Sequence, residues 1–320
     1  MKKLNFLVPL ALLATLASCN RTMPYRGPVV EQTYVHQYGV QVPPEQWQTS
    51  GETGQIVSKL KSGVVVTNTY AGGVLDGETN YTFPHNDNIQ KVETYTDGRL
   101  IKEIHHSITG TPMKETFYQD HGVRHVTIWY EDGTPQAKEV YVKGRLTNGQ
   151  YFDHNQQVEA KVENGQGNRI NRDNYGMLES NDTIFDGDMT QRTTYHVNGH
   201  PKEVIPYANG VVSGERRTYL PAGEPNTIEM WELGMQHGTT IVFSAGEKVA
   251  EVPYVSGMKQ GLERRYRNGR TVVEEITWTQ DQRQGPTYTY VGENKKTDWY
   301  HNGRRVTKGA YDLNMNPNRS

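Results

Sequence analysis

Eleven histidines, a single cysteine and a few neighbouring carboxylates are the positions of this 320-residue chain that could carry chemistry. Cys19 is the only thiol, so neither a disulfide nor a cysteine-rich metal site can form within the chain. His105 and His106 are adjacent; on a strand they point to opposite faces and cannot share a metal ion. His121 and His125 could share a face, but the turn residue Gly122 lies between them and no acidic or sulfur ligand is spaced to complete a site. Glu274 and Glu275 alternate across a strand and make no carboxylate pair for acid–base work. Gly165 and Gly167 have the opening spacing of a phosphate loop, yet no helix follows and the rest of the fingerprint is missing. No nucleophile elbow or zinc-protease motif occurs. The residues predict no catalytic site, no metal and no cofactor.

The elements that would position any functional residue are marked by aromatic side chains. Tyr207, Tyr219, Trp231, Phe243, Tyr254, Tyr266, Trp278 and Tyr290 follow one another at gaps of 12, 12, 12, 11, 12, 12 and 12 residues. One strand plus one tight turn, used repeatedly, produces such a beat and sets the same ring at the same height in each strand. The beat extends upstream through Tyr70, Tyr81, Tyr95, Tyr118, Tyr130, Tyr141, Tyr151, Phe185 and Tyr195, fades between Tyr151 and Phe185, and closes at Tyr300. Glycine is locked to it. Alternate aromatics begin the pattern aromatic-x-x-Gly-x-x-x-Gly, as in Tyr70 with Gly73 and Gly77, and Tyr207 with Gly210 and Gly214. Trp231 has Gly234 and Gly238, and Tyr254 has Gly257 and Gly261.

Ten Asn-Gly or Asp-Gly dipeptides, Asp97-Gly98, Asn198-Gly199 and Asn302-Gly303 among them, supply the positive φ that tight hairpin turns demand. Between them lie short runs rich in β-branched and aromatic residues, such as Thr271 to Trp278. The chain is expected to be all-β: an elongated, single, twisted antiparallel sheet of about eleven hairpin repeats, each of about 23 residues, over residues 54–311. Composition agrees, with 34% apolar residues and 20 tyrosines against 6 phenylalanines. Tyrosine suits a thin sheet, because its ring packs on a neighbour while its hydroxyl stays wet.

Trp231-Glu-Leu-Gly234-Met-Gln-His237-Gly238 resembles the heart of a MORN repeat, in which an aromatic residue is followed by glycine three positions on and then by His-Gly. The looser copies around Tyr207 and Tyr254 are more similar to the variant MORN class of bacterial envelope and cytoplasmic proteins, some of which carry an antitoxin label. The resemblance covers about four-fifths of the chain. It implies an array of stacked hairpins used for binding or scaffolding. His-Gly occurs at the expected place only at His237-Gly238, and the units around residues 98–126 and 160–185 lack the second glycine.

The first residues carry a different signal. Lys2 and Lys3 precede an apolar stretch, Leu4 to Leu16, too short for a stable span, and Leu16-Ala17-Ser18-Cys19 forms a cleavage box. This is the pattern of a bacterial lipoprotein signal, in which residues 1–18 are removed and the Cys19 thiol takes a diacylglyceryl group; an ordinary secretory peptide is the alternative. Two acyl chains suffice for stable membrane anchoring. Asn20 after the lipidated cysteine favours the outer membrane of a double-membrane bacterium. Residues 19–53, with Pro24, Pro28, Pro43 and Pro44, read as a tether, although Tyr34, Tyr38 and Trp47 suit a segment folded back as a cap. Residues 312–320 read as a flexible tail.

Among candidate binding residues, Arg217 and Arg264 stand two positions before equivalent aromatics and are expected on one face about 20 Å apart. With Arg216, Arg265, Arg267 and Arg270 they could form a basic patch; a solvated face balanced by Glu215 and Glu263 is the competing reading. With Lys2 and Lys3 removed, 32 basic residues face 36 acidic ones, a net charge near −4 that disfavours nucleic acid. The expectation is an envelope lipoprotein, non-enzymatic, presenting an extended β-surface to a protein, glycan or lipid. An antitoxin or immunity-like protein is the alternative, and an envelope glycan-processing enzyme a more remote one.

Overall fold

The computed structural model describes residues 27–315. They form one open antiparallel sheet of 29 strands, not closed into a barrel, with two short helices and one 3-10 turn. Two compact units are distinguished, one ending at Arg99 and the other beginning at Leu100.

The first unit opens with a strand, Val29–His36, that pairs with Gly54–Leu60. Between them runs a one-and-a-half-turn helix, Pro44–Thr49. Pro44 at its start forgoes an N–H that would have no partner there in any case. The helix drives Trp47 against Tyr34 and Tyr70, at ring distances of 5.7 and 6.4 Å, and leaves it 4% exposed. From residue 27 onward this segment is folded against the sheet, with Trp47 in an apolar seat. At the other end of the chain the second helix, Lys308–Met315, packs Tyr311 on Trp299 at 5.0 Å, so ordered structure reaches into the stretch expected as a tail.

In the second unit the repeat can be read from its register. The strand Glu247–Val255 turns at Ser256-Gly257, pairs briefly with Met258–Lys259, and after a bulge that shifts the register by two residues around Gln260 pairs with Gly261–Arg267. Ser256 (φ 49°) and Gly257 (φ 84°) are both left-handed, the signature of the hairpin turn whose twist matches the strands. The second glycine of each unit stands directly opposite the next ring: Gly214 faces Trp231, Gly238 faces Tyr254, and Gly261 faces Trp278. At Gly238 (φ 100°) an added Cβ would come within 3.2 Å of Met230 Cβ. Two glycines per repeat therefore do different work, one reversing the chain and one letting the bulged strand lie flat.

The rings do not form one column. Cross-strand partners share a face, and successive residues alternate. Trp231 and Trp278 donate their indole N–H to Glu229 and Glu263, both at 2.8 Å, on one face. Tyr266 and Tyr290 donate to Glu251 and Glu275, at 2.7 and 2.8 Å, in a row one residue out of step and so on the other face. By the same register Tyr207 and Tyr254 join the first column, and Tyr219 and Phe243 the second. The twelve-residue beat is two interleaved columns, because between successive rings either a two-residue turn, which sets residues three apart on one face, or a one-residue bulge shifts the parity of the strand that follows.

The first of these faces is the inner one. Its middle row holds Asp182, Glu229, Val252, Glu263 and Ile276, all buried. Where the beat fades, the sheet carries a small apolar core of Ala137, Leu146, Tyr151, Val162 and Ile184.

Candidate binding surface

Buried acids on the inner face are the most chemically suggestive groups in the structure. Glu139, 3% exposed, accepts hydrogen bonds from Tyr151 (2.9 Å), Tyr141 (2.8 Å) and Arg169 (2.7 Å). Burial and then the neighbouring carboxylate push the Tyr141 hydroxyl up to about 12, and the same causes raise Tyr151. Burial alone would lower the Arg169 guanidinium; Glu139 and the two tyrosines carry it upward instead. The pattern recurs. Asp182 accepts two hydrogen bonds from Arg192 and one from Asn171. Glu229 accepts from Arg216, Thr227 and Trp231, and Glu263 from Arg265 and Trp278. Lys91, Tyr81 and Tyr95 surround Glu93. Carboxylates whose oxygens are so taken up by donors of their own sheet have little acceptor capacity left for a ligand.

The six candidate arginines are not brought together. Arg217 and Arg264 lie in one register row of the outer face, four strands and about 19 Å apart. Arg216 and Arg265, one residue out of step, project from the inner face. Four of the six meet carboxylates: Arg216 lies 2.9 Å from Glu229 and 3.1 Å from Glu203, and Arg217 lies 2.6 Å from Glu215. Arg264 lies 3.3 Å from Glu275, and Arg265 binds both Glu263 and Glu274. Arg267 and Arg270 are exposed beside the Asn268-Gly269 turn. These six arginines make no single basic patch, because they divide between the two faces and because partner acids stand beside them, Glu215 and Glu263 on their own strands and Glu203, Glu229, Glu274 and Glu275 on neighbouring ones. Cys19 and its box Leu16-Ala17-Ser18 lie outside the described residues.

An open surface does exist, where the sequence beat gave no cue. A trough of about 380 Å³ crosses four strands of the outer face, Val123–Trp129, Pro135–Val142, Arg145–Phe152 and Val158–Glu163. Its floor is the backbone along Val126, Glu139, Gly149 and Val162, which stand opposite one another in register. One wall carries His125, Val140, Asn148 and Glu163; the other carries Thr127, Lys138, Gln150 and Lys161. Among the described residues, the side chains of Thr127, Lys138 and Gln150 make no hydrogen bond or ion pair, and Lys161 reaches Glu163 only at 3.9 Å. The trough presents ammonium, amide and hydroxyl donors along a line. Among the described residues no group of three or more His, Cys, Asp or Glu is placed to hold a metal ion. His105 contacts Glu103 at 2.5 Å, burial lowers the proton affinity of His106, and His121 occupies a left-handed turn position.

No family model matches the chain, and no curated protein matches it. Among solved structures, the Tc holotoxin pore of Photorhabdus luminescens, carrying a TccC3 mutation, aligns with 84% of this chain and 15% of its own, at 11% identity. The chain thus spans a small fraction of the protein it is compared with. The TM-score is 0.17, a superposition too loose to assign fold or activity.

Proposed function

We propose that the protein is a lipid-anchored, non-enzymatic repeat scaffold of a bacterial envelope that holds a polar polymer, an envelope glycan above all, along its outer face. The observation that carries the binding role is the contrast between the two faces. The inner acids are consumed by donors from their own sheet, whereas the trough's Lys138, Gln150 and Thr127 remain free and face solvent. A row of ammonium and amide donors about four strands long matches a chain of hydroxyls and carboxylates better than a small apolar ligand. The aromatic-x-x-Gly-x-x-x-Gly grammar, each glycine with its own structural task, supports grouping the repeats with the variant MORN class. The anchor rests on Cys19, the cleavage box and the apolar stretch before it. Among the described residues no helix is long and apolar enough to cross a membrane.

Wild type and Cys19→Ala, expressed in a bacterial host, provide the test. The wild type is expected in the detergent phase with the added mass of its acyl chains, and the variant in the aqueous phase. Two identical soluble species would remove the anchor. Solubilised cell-wall glycan retained equally by wild type and Lys138→Glu would remove the trough.

A further inference from the structure

The outer face carries a second feature, along the edge where the two-glycine turns stack. One row runs through Glu215, Met230, Thr239, Pro253, Leu262, Thr277, Pro286 and Trp299: the pairs Glu215–Met230, Thr239–Pro253, Leu262–Thr277 and Pro286–Trp299 stand opposite one another, and the steps between pairs cross the bulges that follow the two-residue turns. On its turn side, and on the same face, Met235 pairs with Glu232 and Met258 with Val255. Met230, Met235, Val255, Met258 and Leu262 are all exposed, Met235 at 48% and Met258 at 40%. With Pro253 they make an apolar stripe across three successive hairpins. Single exposed apolar residues need no explanation, but a continuous stripe on a sheet this polar does.

The same row is already covered at its far end. There the terminal helix Lys308–Met315 sits on the last hairpin, with Tyr311 at 5.0 Å from Trp299 and Lys308 at 5.4 Å from the same ring. Gln284 reaches Met315 Sδ at 3.4 Å, and the space over Gly285 is filled by the Tyr311 hydroxyl. Lys308, Tyr311 and Met315 are spaced i, i+3, i+7 and form one side of that helix. Chain and row thus display one helix-on-sheet interface, and the row continues inward as the open stripe.

We propose that the stripe docks a short amphipathic helix of a partner protein, seated as the chain's own helix is seated on Trp299. The flanking residues fit such an occupant: methionines repack around varied apolar anchors, and the neighbouring row runs Arg217, Ile228, Ile241, Glu251, Arg264 and Glu275, two further apolar contacts beside charges of both signs that match a helix's polar flank. The inference rests on reading the chain as a binding scaffold but involves neither Cys19 nor the trough.

Methionine-methyl NMR on the full-length chain decides it, since Met230, Met235 and Met258 report the stripe while Met113 and Met189 lie elsewhere. The probe is a synthetic helix of about four turns presenting Lys, Tyr and Met at i, i+3, i+7, beside a scrambled peptide of equal composition. The ordered peptide is expected to shift the three stripe methyls and leave Met113 and Met189 unmoved. Met235→Glu and Met258→Glu should each weaken it at least about tenfold. The wild-type titration stands alone if either variant fails to fold. Unmoved stripe methyls, or equal shifts with the scrambled peptide, would overturn the proposal. So would shifts that follow protein concentration, making a second copy the occupant, or shifts produced only by phosphatidylglycerol vesicles, making it a lipid surface. Failure here would leave the anchor and glycan tests unaffected.

Discussion

Glu139 is a charge that a single-layer sheet has managed to bury, and its neighbours explain how. Arg169 comes from a strand thirty residues on, and Tyr141 and Tyr151 flank it, so every donor is supplied by the sheet itself. Removing the acid strands the guanidinium. Glu139→Gln should cost about 3–5 kcal/mol, read as a lowered urea midpoint, and pairing it with Arg169→Met should recover much of the loss because the uncompensated charge is then gone. An unchanged midpoint for the single variant would mean that the network contributes nothing. The tyrosines extend the argument to pH. Tyr141 is an acid whose folded value, about 12, lies above its ordinary 10.0, so the folded state favours the neutral hydroxyl. Its contribution is complete below pH 10 and is lost as pH rises through about 12. Base titration should therefore show tyrosinate absorbance from this region rising late, together with faster amide exchange around residues 137–151.

Hairpins depend on where a left-handed residue is needed and what lies beside it. Gly257, at φ 84°, has nothing within 4 Å of a built Cβ, so Gly257→Asn should cost only a few tenths to about 1 kcal/mol. Gly167, at φ 137°, has the Lys161 carbonyl oxygen 2.1 Å from that position, and no side chain can move to make room. Gly167→Ala should instead break the Val162–Gly167 pairing and lower the thermal midpoint by several degrees; equal effects at the two sites would contradict this geometry. The strands and their turns were legible because Asn-Gly and Asp-Gly announce a backbone conformation locally. Two of the ten dipeptides misled: Asp76-Gly77 opens a strand after a bulge, and Asn148-Gly149 lies within one. Conversely, Leu233 and Ser256 take the left-handed turn position with no local cue, held there by the following glycine and the ladder. Glu215 and Glu263 were legible as acids two residues from Arg217 and Arg265, whereas ring facing, the cross-strand arginine partners and the trough were not, since each depends on register across strands. Arg216 finds Glu203 and Glu229 only once bulges are counted. The Glu139–Arg169 pair left a trace all the same, as the stretch where aromatics stop recurring.

At the scale of the whole array, stability is the sum of similar hairpins and the contacts between neighbours, so whole repeats should be removable where fractions of one are not. The two ring columns make this sharp. Deleting residues 208–231 joins Tyr207 to Glu232-Leu233-Gly234, which preserves the aromatic-x-x-Gly pattern and removes two strands together. Ile205 then takes the place of Glu229 beside Thr240 on the inner face, and every later strand keeps its direction and facing. This variant should stay soluble, retain its strand signature in circular dichroism, and unfold cooperatively with a denaturant slope smaller by about a tenth. Deleting only residues 208–219 keeps the twelve-residue beat unbroken but removes one strand. Pro201–Ala208 and Pro225–Glu232, which run in the same direction in the native ladder, would have to pair antiparallel. Asp182 and Arg192 would keep their side, whereas Glu229, Glu263 and their partners would be turned out to solvent and the Tyr266 column turned in. That variant should aggregate or lose its cooperative transition. Equal tolerance of both deletions would show that the aromatic beat alone, without alternation between faces, organises the sheet.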